Sequence, residues 1–203
     1  MTSEIAASLR TALSTDEVSR LAALRERLAS TADNEGQLDI AYRVIDSPFG
    51  QLLLASTEIG LVRVAFESEG HDSVLQALSD AISPRVLCSN LRTDVAARQV
   101  DDYFTNRRRS FDVQVDLRLV RGFRREVITH LCEIAYGTTA SYATVARLAG
   151  NPAAVRAVGS ACSHNPVPIV IPCHRVVRSD GSLGQYLGGA DVKAALLAME
   201  AAA

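Results

Sequence analysis

The chain has 203 residues, of which 48% are apolar and 22% are charged, and its formal net charge is −2. This composition predicts a folded protein with a sizeable core and excludes a disordered chain. No apolar run approaches the roughly 20 residues that a membrane span needs, and the N-terminus lacks a signal-peptide pattern, so we expect a cytoplasmic protein. Four cysteines without a CxxC pair predict reduced thiols instead of a disulfide scaffold.

Residues 1–36 are predicted to form a helical extension. Apolar residues recur there at helical spacing on both sides of a break near Ser14–Thr15. The polar stretch 31–36 ends the pattern and is typical of a linker.

Residues 37–117 are predicted to form a compact α+β domain that carries no chemical motif of its own. Three short apolar runs punctuated by turn residues predict a small antiparallel meander: Ala41–Ile45, Leu52–Ala55 and Leu61–Phe66. Two helices and one extended segment are predicted to follow: His71–Ile82, Thr93–Asn106 and Phe111–Leu117.

The third part of the chain, residues 118–203, is basic at its start. Between Arg118 and Arg178 there are eight arginines and only two acids, a balance of +6 that leaves −8 for the rest of the chain. A one-sided basic surface is what phosphate binding needs, although a solvated face has the same composition.

The same part predicts a helix-turn-helix. A helix from Phe123 ends before Gly137, and Ser141 caps a short helix over Tyr142–Ala149. Asn151–Pro152 opens the next helix, since proline fits the first turn. That second helix is predicted to bury a stripe of three residues: Val155, Val158 and Cys162. Four residues are predicted to face outward, small except for one arginine that can reach among bases: Ala153, Arg156, Ala157 and Ser160.

A candidate nucleophile follows. A run of β-branched residues ends at Pro172, which blocks the continuation of a central strand, and this break predicts that Cys173 and His174 lie at the mouth of a buried element. His174 and Arg175 are expected to lower the pKa of the thiol and so to favour the reactive thiolate.

Two further features complete the candidate site. Glu200, in a helix predicted over Asp191–Ala201, is a candidate to orient the imidazole, with Asp180 and Asp191 as the other acids within reach. The loop between the thiol and this helix has four glycines within nine residues, and its one aromatic residue, Tyr186, suits a flat base.

These motifs resemble one known family. They are Ser141-Tyr142, Asn151-Pro152 followed by Arg156-Ala157-Val158-Gly159, Asn165-Pro166, Ile171-Pro172-Cys173-His174-Arg175-Val176 and Gly184-Gln185-Tyr186-Leu187-Gly188-Gly189. In order and spacing they resemble the O6-alkylguanine-DNA alkyltransferases over residues 118–200, with a weaker similarity over Tyr42–Phe66. The resemblance implies an α+β fold: a small ribonuclease H-like α/β domain with an antiparallel sheet, then a mostly helical, winged helix-turn-helix-like domain.

The resemblance also implies the chemistry of the site. Cys173 would accept the alkyl group, with His174 acting as its base through a bound water and Glu200 orienting the imidazole. Tyr142 would push on the neighbouring phosphate and donate to N3 of the leaving guanine, and Asn165 would tie the recognition helix to the active-site strand.

Further positions carry over from the family as contacts. Arg156 would enter the base stack in place of the extruded guanine. The other expected DNA contacts are Ala153, Ala157, Gly159, Ser160, Tyr142 and Ser179. The expected base-pocket residues are Pro168, Val176, Tyr186, Leu187, Gly184 and Cys162.

The partner implied is double-stranded DNA carrying O6-alkylguanine, with O4-alkylthymine as a second substrate. A thioether product offers no leaving group, so we expect one turnover per molecule, with no metal or organic cofactor. A monomer without an obligate protein partner is expected. Leu187 occupies a position that is often small in the family, which bears on the size of alkyl group accepted.

Two other classes of function remain open from the sequence. A lesion-binding or helix-turn-helix regulatory protein needs the same basic face, but it has no use for a Cys-His pair beside an aromatic pocket. A cysteine hydrolase would use Cys173, His174 and Glu200, and it would turn over many substrates.

Overall fold

The computed structural model describes residues 15–202, and its first element is the long helix α1 (Thr15–Asn34). Ala29 of α1 is buried against the start of the sheet, and the Glu26 carboxylate accepts two hydrogen bonds from the loop at Ser89. The helix is therefore attached to the domain that follows it.

The predicted extension is helical where it is described, but the predicted linker is wrong in part. Residues 31–34 belong to α1, because the helix continues to Asn34 before the chain turns at Gly36. The apolar repeat before Thr15 lies outside the described residues.

The N-terminal domain is built on a four-stranded sheet in the order β3-β2-β1-β4. Its strands are β1 (Ile40–Ile45), β2 (Leu52–Ser56), β3 (Leu61–Phe66) and β4 (Val86–Cys88). The first three pair antiparallel, which confirms the predicted meander, whereas β4 pairs parallel with β1. Strand β4 was not predicted, because three residues are too few to show the alternation of apolar and polar side chains that indicates a strand.

Helices cover both faces of this sheet. Helix α2 (His71–Ala81) packs Val74 and Leu78 against one face. Helix α3 (Asp94–Phe104) covers the other face together with parts of the C-terminal half. The predicted extended segment 111–117 runs beside β3, where the Leu61 amide donates to the Gln114 carbonyl at 2.9 Å.

The C-terminal half is mostly helical, as predicted. Its elements are α4 (Phe123–Leu131), β5 (Ala140–Ser141), α5 (Tyr142–Leu148), α6 (Val155–Ser163), β6 (Val176–Val177) and α7 (Ala190–Ala201). Strands β5 and β6 pair parallel. The predicted cap is present, since the Ser141 hydroxyl accepts a hydrogen bond from the Thr144 amide at 3.0 Å.

Helix α6 begins later than the sequence pattern indicates. The Asn151 amide donates back to the Ala146 carbonyl at 3.0 Å, so residues 151–154 form a turn and the helix starts at Val155. Val155 is consequently at the exposed end of α6 and is 37% exposed, which makes its predicted burial wrong. The buried stripe consists instead of Val158, Ala161 and Cys162.

The two halves share one core. Leu54 and Val64 of the sheet belong to the same buried cluster as Val127 of α4 and Cys173. The Val64 amide donates to the Pro166 carbonyl at 2.9 Å, which joins β3 to the segment before the candidate nucleophile. The α+β fold class is confirmed. Among the helices within residues 15–202, none has the length and apolar character to cross a bilayer.

Candidate active site and DNA-binding helix

Helices α5 and α6 form the predicted helix-turn-helix, and α6 presents small residues to solvent. Ala157, Ser160 and Arg156 are exposed on α6, and Ala153 is exposed in the turn before it. This side of the helix therefore has one long cation among short side chains, the composition that allows close approach to a nucleic-acid groove.

A groove of about 520 Å³ lies between α6 and the glycine-rich loop. It is lined in part by Tyr142, Arg156, Gly159, Ser160, Arg178 and Gly184. Gly184 has a φ of +69°, and a Cβ atom there would lie 2.7 Å from the Tyr142 hydroxyl oxygen. Only glycine fits this approach. Ser179 is exposed one residue beyond Arg178 and outside the lining of the groove.

The segment before Cys173 is a buried turn and not the end of a strand that its β-branched residues indicated. The Ile171 amide donates to the Val167 carbonyl at 2.9 Å, and Ile169 has a φ of +75° while fully buried. The prolines of this segment lack the N–H groups that a strand ladder requires. The chain then enters a 3₁₀ turn over Cys173–Arg175.

Asn165 connects this turn to the end of α6. Its side-chain amide donates to the Ile171 carbonyl at 2.8 Å and to the Cys173 sulfur at 3.1 Å, while its oxygen accepts from the Val167 amide at 3.1 Å. The fully buried Asn165 thus contacts the candidate nucleophile directly. Its position fits the hinge that the resemblance implies.

The Cys173 thiol is only 2% exposed, and the expectation of a lowered pKa is wrong. Burial raises the pKa of this thiol to about 11, against the lowering effects of the Asn165 amide and the Lys193 ammonium. The guanidinium of Arg175 donates to Glu200 and to the Ile134 carbonyl instead of to the sulfur. At neutral pH the thiol is protonated, so its reaction requires a base.

Glu200 accepts hydrogen bonds from four groups, which we call the carboxylate cluster: Tyr103, His174, Arg175 and the Gly137 amide. Burial would raise the pKa of Glu200, but the hydrogen bonds from the three side chains outweigh it and lower the pKa to about 2. The carboxylate is therefore ionised throughout the physiological range and does not act as a proton acceptor.

His174 is fully buried, and its Nε2 atom lies 2.9 Å from Glu200 Oε1. An ionised carboxylate at this distance favours the tautomer that carries the proton on Nε2. Burial lowers the pKa of His174, and the neighbouring Glu200 opposes that shift. The other ring nitrogen, Nδ1, has no hydrogen-bond partner within the described residues, so it is the atom left to accept a proton.

The predicted base-pocket residues lie on several elements, and the structure does not bring all of them together. Pro168 and Val176 are buried, and Tyr186 packs edge-on against His174 with ring centroids 6.2 Å apart. The Tyr186 hydroxyl has no partner within residues 15–202. Leu187 lines a separate cavity of about 540 Å³ between the two halves, and Cys162 is buried on α6 in the same core as Cys173. All four cysteines are free thiols.

Two residues of the site were not singled out in the sequence. Lys193 is fully buried on α7, where its ammonium donates to the Val176 carbonyl at 2.6 Å and lies 5.8 Å from the centre of the Tyr142 ring. Because it is the only lysine of the chain, the sequence could have indicated Lys193 as an unusual residue. Tyr103 of the N-terminal domain had no such signal, since only the fold brings it to Glu200.

Comparison with known families and proteins identifies the chain. Residues 122–202 match the DNA-binding domain of 6-O-methylguanine DNA methyltransferase, and residues 40–117 match its ribonuclease-like domain. A methylated-DNA--protein-cysteine methyltransferase of Methanosarcina barkeri is 40% identical over 159 residues, which are 78% of this chain and 96% of the relative. The chain belongs to the methylated-DNA--protein-cysteine methyltransferase family.

Other members of the methyltransferase family are similarly close. The relative from Mycolicibacterium paratuberculosis is 38% identical over 79% of this chain and 92% of its own length. The crystal structure of the Mycobacterium tuberculosis O6-methylguanine methyltransferase aligns with a TM-score of 0.68 at 35% identity, covering 80% of this chain and 93% of the other. The same Mycobacterium tuberculosis protein in complex with DNA aligns with a TM-score of 0.66.

These findings confirm the family that the motifs indicated, and with it the class of enzyme. The two family models leave residues 1–39 unmatched. Helix α1 therefore lies entirely outside the part of the chain that the family models match.

Proposed function

We propose that this protein repairs DNA by transferring the alkyl group of O6-alkylguanine to the Sγ atom of Cys173. The observation that carries the proposal is the buried Cys173 thiol, which contacts Asn165 and lies beside the paired His174 and Glu200. The relatives of the chain are named for methyl transfer from DNA to a protein cysteine. A regulator that only binds DNA has no use for this thiol.

In the proposed reaction the thiol proton passes through one water to Nδ1 of His174, because Nε2 faces Glu200. The sulfur attacks the alkyl carbon in line with its bond to O6, and that bond breaks with its electron pair leaving on guanine. Tyr142 donates a proton to N3 of the departing base and later regains one from solvent, into which His174 releases its own. The products are guanine and S-alkylcysteine.

The lesion reaches the thiol by base flipping. Inside a duplex the O6 substituent is stacked and paired, so the nucleotide must leave the helix at a cost of a few kcal/mol. The exposed Arg156 on α6 would fill the gap and recover part of that cost. Ala153, Ala157, Gly159 and Ser160 would let the helix approach the DNA closely, and Ser179 would contact the backbone beside it.

The extruded base would lie against the aromatic ring of Tyr186, with Pro168, Val176, Gly184 and Cys162 around it. Leu187 lines the cavity between the two halves, so it would bound the pocket on that side only, where its side chain is larger than the small residue often found there. We therefore expect methyl groups to react faster than benzyl groups, and O4-alkylthymine to be accepted as a second substrate.

The transfer balances with side chains of this protein and one water, so the proposal includes no metal or organic cofactor. We also propose that the protein acts on double-stranded DNA as a cytoplasmic monomer without an obligate protein partner. Residues 1–36, 37–117 and 118–203 are proposed as the extension, the N-terminal domain and the DNA-binding domain.

The experiment that tests this function is a titration of duplex DNA containing O6-methylguanine with increasing protein. Lesion removal is expected to stop at one lesion per protein molecule, since a thioether has no leaving group for a second transfer. Cys173→Ala should remove none, while Cys132→Ala, the matched control at a free thiol outside the proposed site, should keep the wild-type stoichiometry. Lesion removal by Cys173→Ala, or many turnovers by the wild type, would contradict the proposal.

A further inference from the structure

We propose that Tyr103, a residue of the N-terminal domain, is a positioning residue that sets the basicity of His174 through Glu200. The inference rests on the proposed function, in which His174 takes the proton of Cys173. Tyr103 lies on α3, outside the motifs of the sequence and outside the half of the chain that holds the helix-turn-helix. The proposal therefore gives α3 a part in the reaction.

Tyr103 contacts both Glu200 and His174 directly. Its hydroxyl donates to Glu200 Oε1 at 2.6 Å, and its oxygen lies 3.4 Å from Nε2 of His174. All three side chains are buried, with 0% exposure for Tyr103 and His174 and 3% for Glu200. One carboxylate oxygen is therefore shared by the phenol and the imidazole in a space that solvent does not reach.

The ring of Tyr103 is fixed by its neighbours. Three aromatic rings surround it with centroids 5.3 to 6.1 Å away: Phe104, Phe111 and Tyr136. A ring held on three sides cannot turn its hydroxyl away from Glu200 unless these aromatic rings repack. The hydroxyl is accordingly a permanent donor to the carboxylate.

The consequence for His174 follows from competition for Glu200 Oε1. A strong donor to that oxygen withdraws negative charge from it, so the carboxylate stabilises the imidazolium less. The contact between the Tyr103 oxygen and Nε2 of His174 would stabilise the imidazolium. At 3.4 Å, however, it is longer and weaker than the 2.6 Å hydrogen bond from Tyr103 to Glu200. Tyr103 thus keeps His174 neutral, and neutral imidazole is the form that accepts the thiol proton.

The other charged and titratable groups that face His174 come from three places. They are Glu200 and Lys193 of α7, Arg175 and Cys173 of the same 3₁₀ turn, and Tyr186 of the glycine-rich loop. Arg175 and Lys193 are cations that also disfavour the imidazolium, and neither would be changed by a substitution at Tyr103. A substitution at Tyr103 therefore measures the effect of its hydroxyl on His174 separately from the effects of these two cations.

The test is Tyr103→Phe, which keeps the ring and removes only the hydroxyl. Its matched control is Tyr136→Phe, since Tyr136 packs against Tyr103 but directs its hydroxyl to Asn106. The pKa of His174 is measured by NMR titration of the imidazole, and the transfer rate to Cys173 is measured against pH in single-turnover reactions.

For Tyr103→Phe we expect the pKa of His174 to rise by about half a unit to one unit, and the acid limb of the rate profile to move up by the same amount. Tyr136→Phe should leave both unchanged. An unmoved pKa and acid limb in Tyr103→Phe, with only a lower plateau rate or stability, would overturn the proposal. If the wild type transfers no alkyl group, the proposed function fails, whereas the NMR titration still tests the role of Tyr103.

Discussion

At the scale of single residues, the thiol of Cys173 is the group whose state decides reactivity. Burial raises its pKa to about 11, and among the described charges Lys193 is the cation that lowers it. Because a thiolate is the nucleophile, the ammonium of Lys193 supports the reacting form at a distance. The sequence shows the thiol and its histidine, but it does not show that the one lysine lies beneath them.

Lys193→Met is expected to raise the pKa of Cys173 by about one unit and to slow alkyl transfer about tenfold at neutral pH. The reason is the loss of the Lys193 charge, which lowers the pKa of the thiol, at nearly constant side-chain length. Single-turnover rates with methylated duplex DNA check this, with Lys193→Arg as the charge-preserving control. Equal losses in both variants would show that packing, and not charge, is responsible.

Glu200 couples the site to the stability of the protein. Its pKa of about 2 lies below the ordinary value of 4.5, so its contribution is fully present above pH 4.5 and is lost as the pH falls through 2. A shift of this size corresponds to about 3 kcal/mol of unfolding free energy. The ion pair is therefore a stabilising element as well as part of the site.

Glu200→Gln is expected to lower the free energy of unfolding at pH 7 by about 3–5 kcal/mol, because Arg175 is left buried without its counter-charge. At pH 3 the difference from the wild type should be smaller, since protons then bind the unfolded carboxylate of the wild type. Urea unfolding at both pH values measures the two differences. A difference that does not change with pH would contradict the lowered pKa.

At the scale of elements, α6 is the helix on which the proposed DNA binding depends. Arg156→Ala is expected to slow repair of duplex DNA by at least about tenfold, because nothing then fills the place of the flipped base. Reaction with the free base O6-methylguanine, which requires no flipping, should be unchanged. Arg98→Ala, at an exposed arginine of α3, is the matched control. An equal loss with duplex and free base would contradict this role.

Short-range signals predicted most of the elements. Alternating apolar runs predicted β1 to β3, and the Ser141 cap predicted the start of α5, because each depends on neighbours in the chain. The start of α6 and the turn over Val167–Ile171 were missed. The first depends on a backbone hydrogen bond to Ala146, and the second on side-chain bonds of Asn165. Propensity alone reports neither of these contacts.

At the scale of the whole molecule, side chains of the N-terminal domain pack against and hydrogen-bond to residues of the candidate site. Phe66 at the end of β3 packs against Tyr186 with ring centroids 5.8 Å apart, and Tyr103 of α3 reaches Glu200. These contacts join residues far apart in sequence, so no local pattern predicts them. They place side chains of the domain without a chemical motif in contact with the candidate site.

Gly188→Ala tests this support. A Cβ atom at position 188 would lie 2.8 to 3.1 Å from three carbons of the buried Phe66 ring, so the ring or the loop must move. We expect a loss of about 1–3 kcal/mol of unfolding free energy and slower transfer, as overpacking displaces Tyr186.

The control for Gly188→Ala is a double-mutant cycle with Phe66→Leu, measured by urea unfolding. Because the smaller side chain leaves room for the added methyl group, the cost of Gly188→Ala should fall in the Phe66→Leu background. Strictly additive costs would show that the two residues do not press on each other, and the loop would then owe its position to other contacts.

Mass spectrometry tests most directly whether Cys173 accepts the alkyl group. The protein is mixed with duplex DNA containing O6-methylguanine, and the intact and peptide masses are then measured. We expect a gain of one methylene per protein, located on the peptide that contains Cys173 and absent from those with the other cysteines. An unchanged mass despite selective binding of the lesion would show that Cys173 is not an alkyl acceptor and would leave a protein that only senses damage.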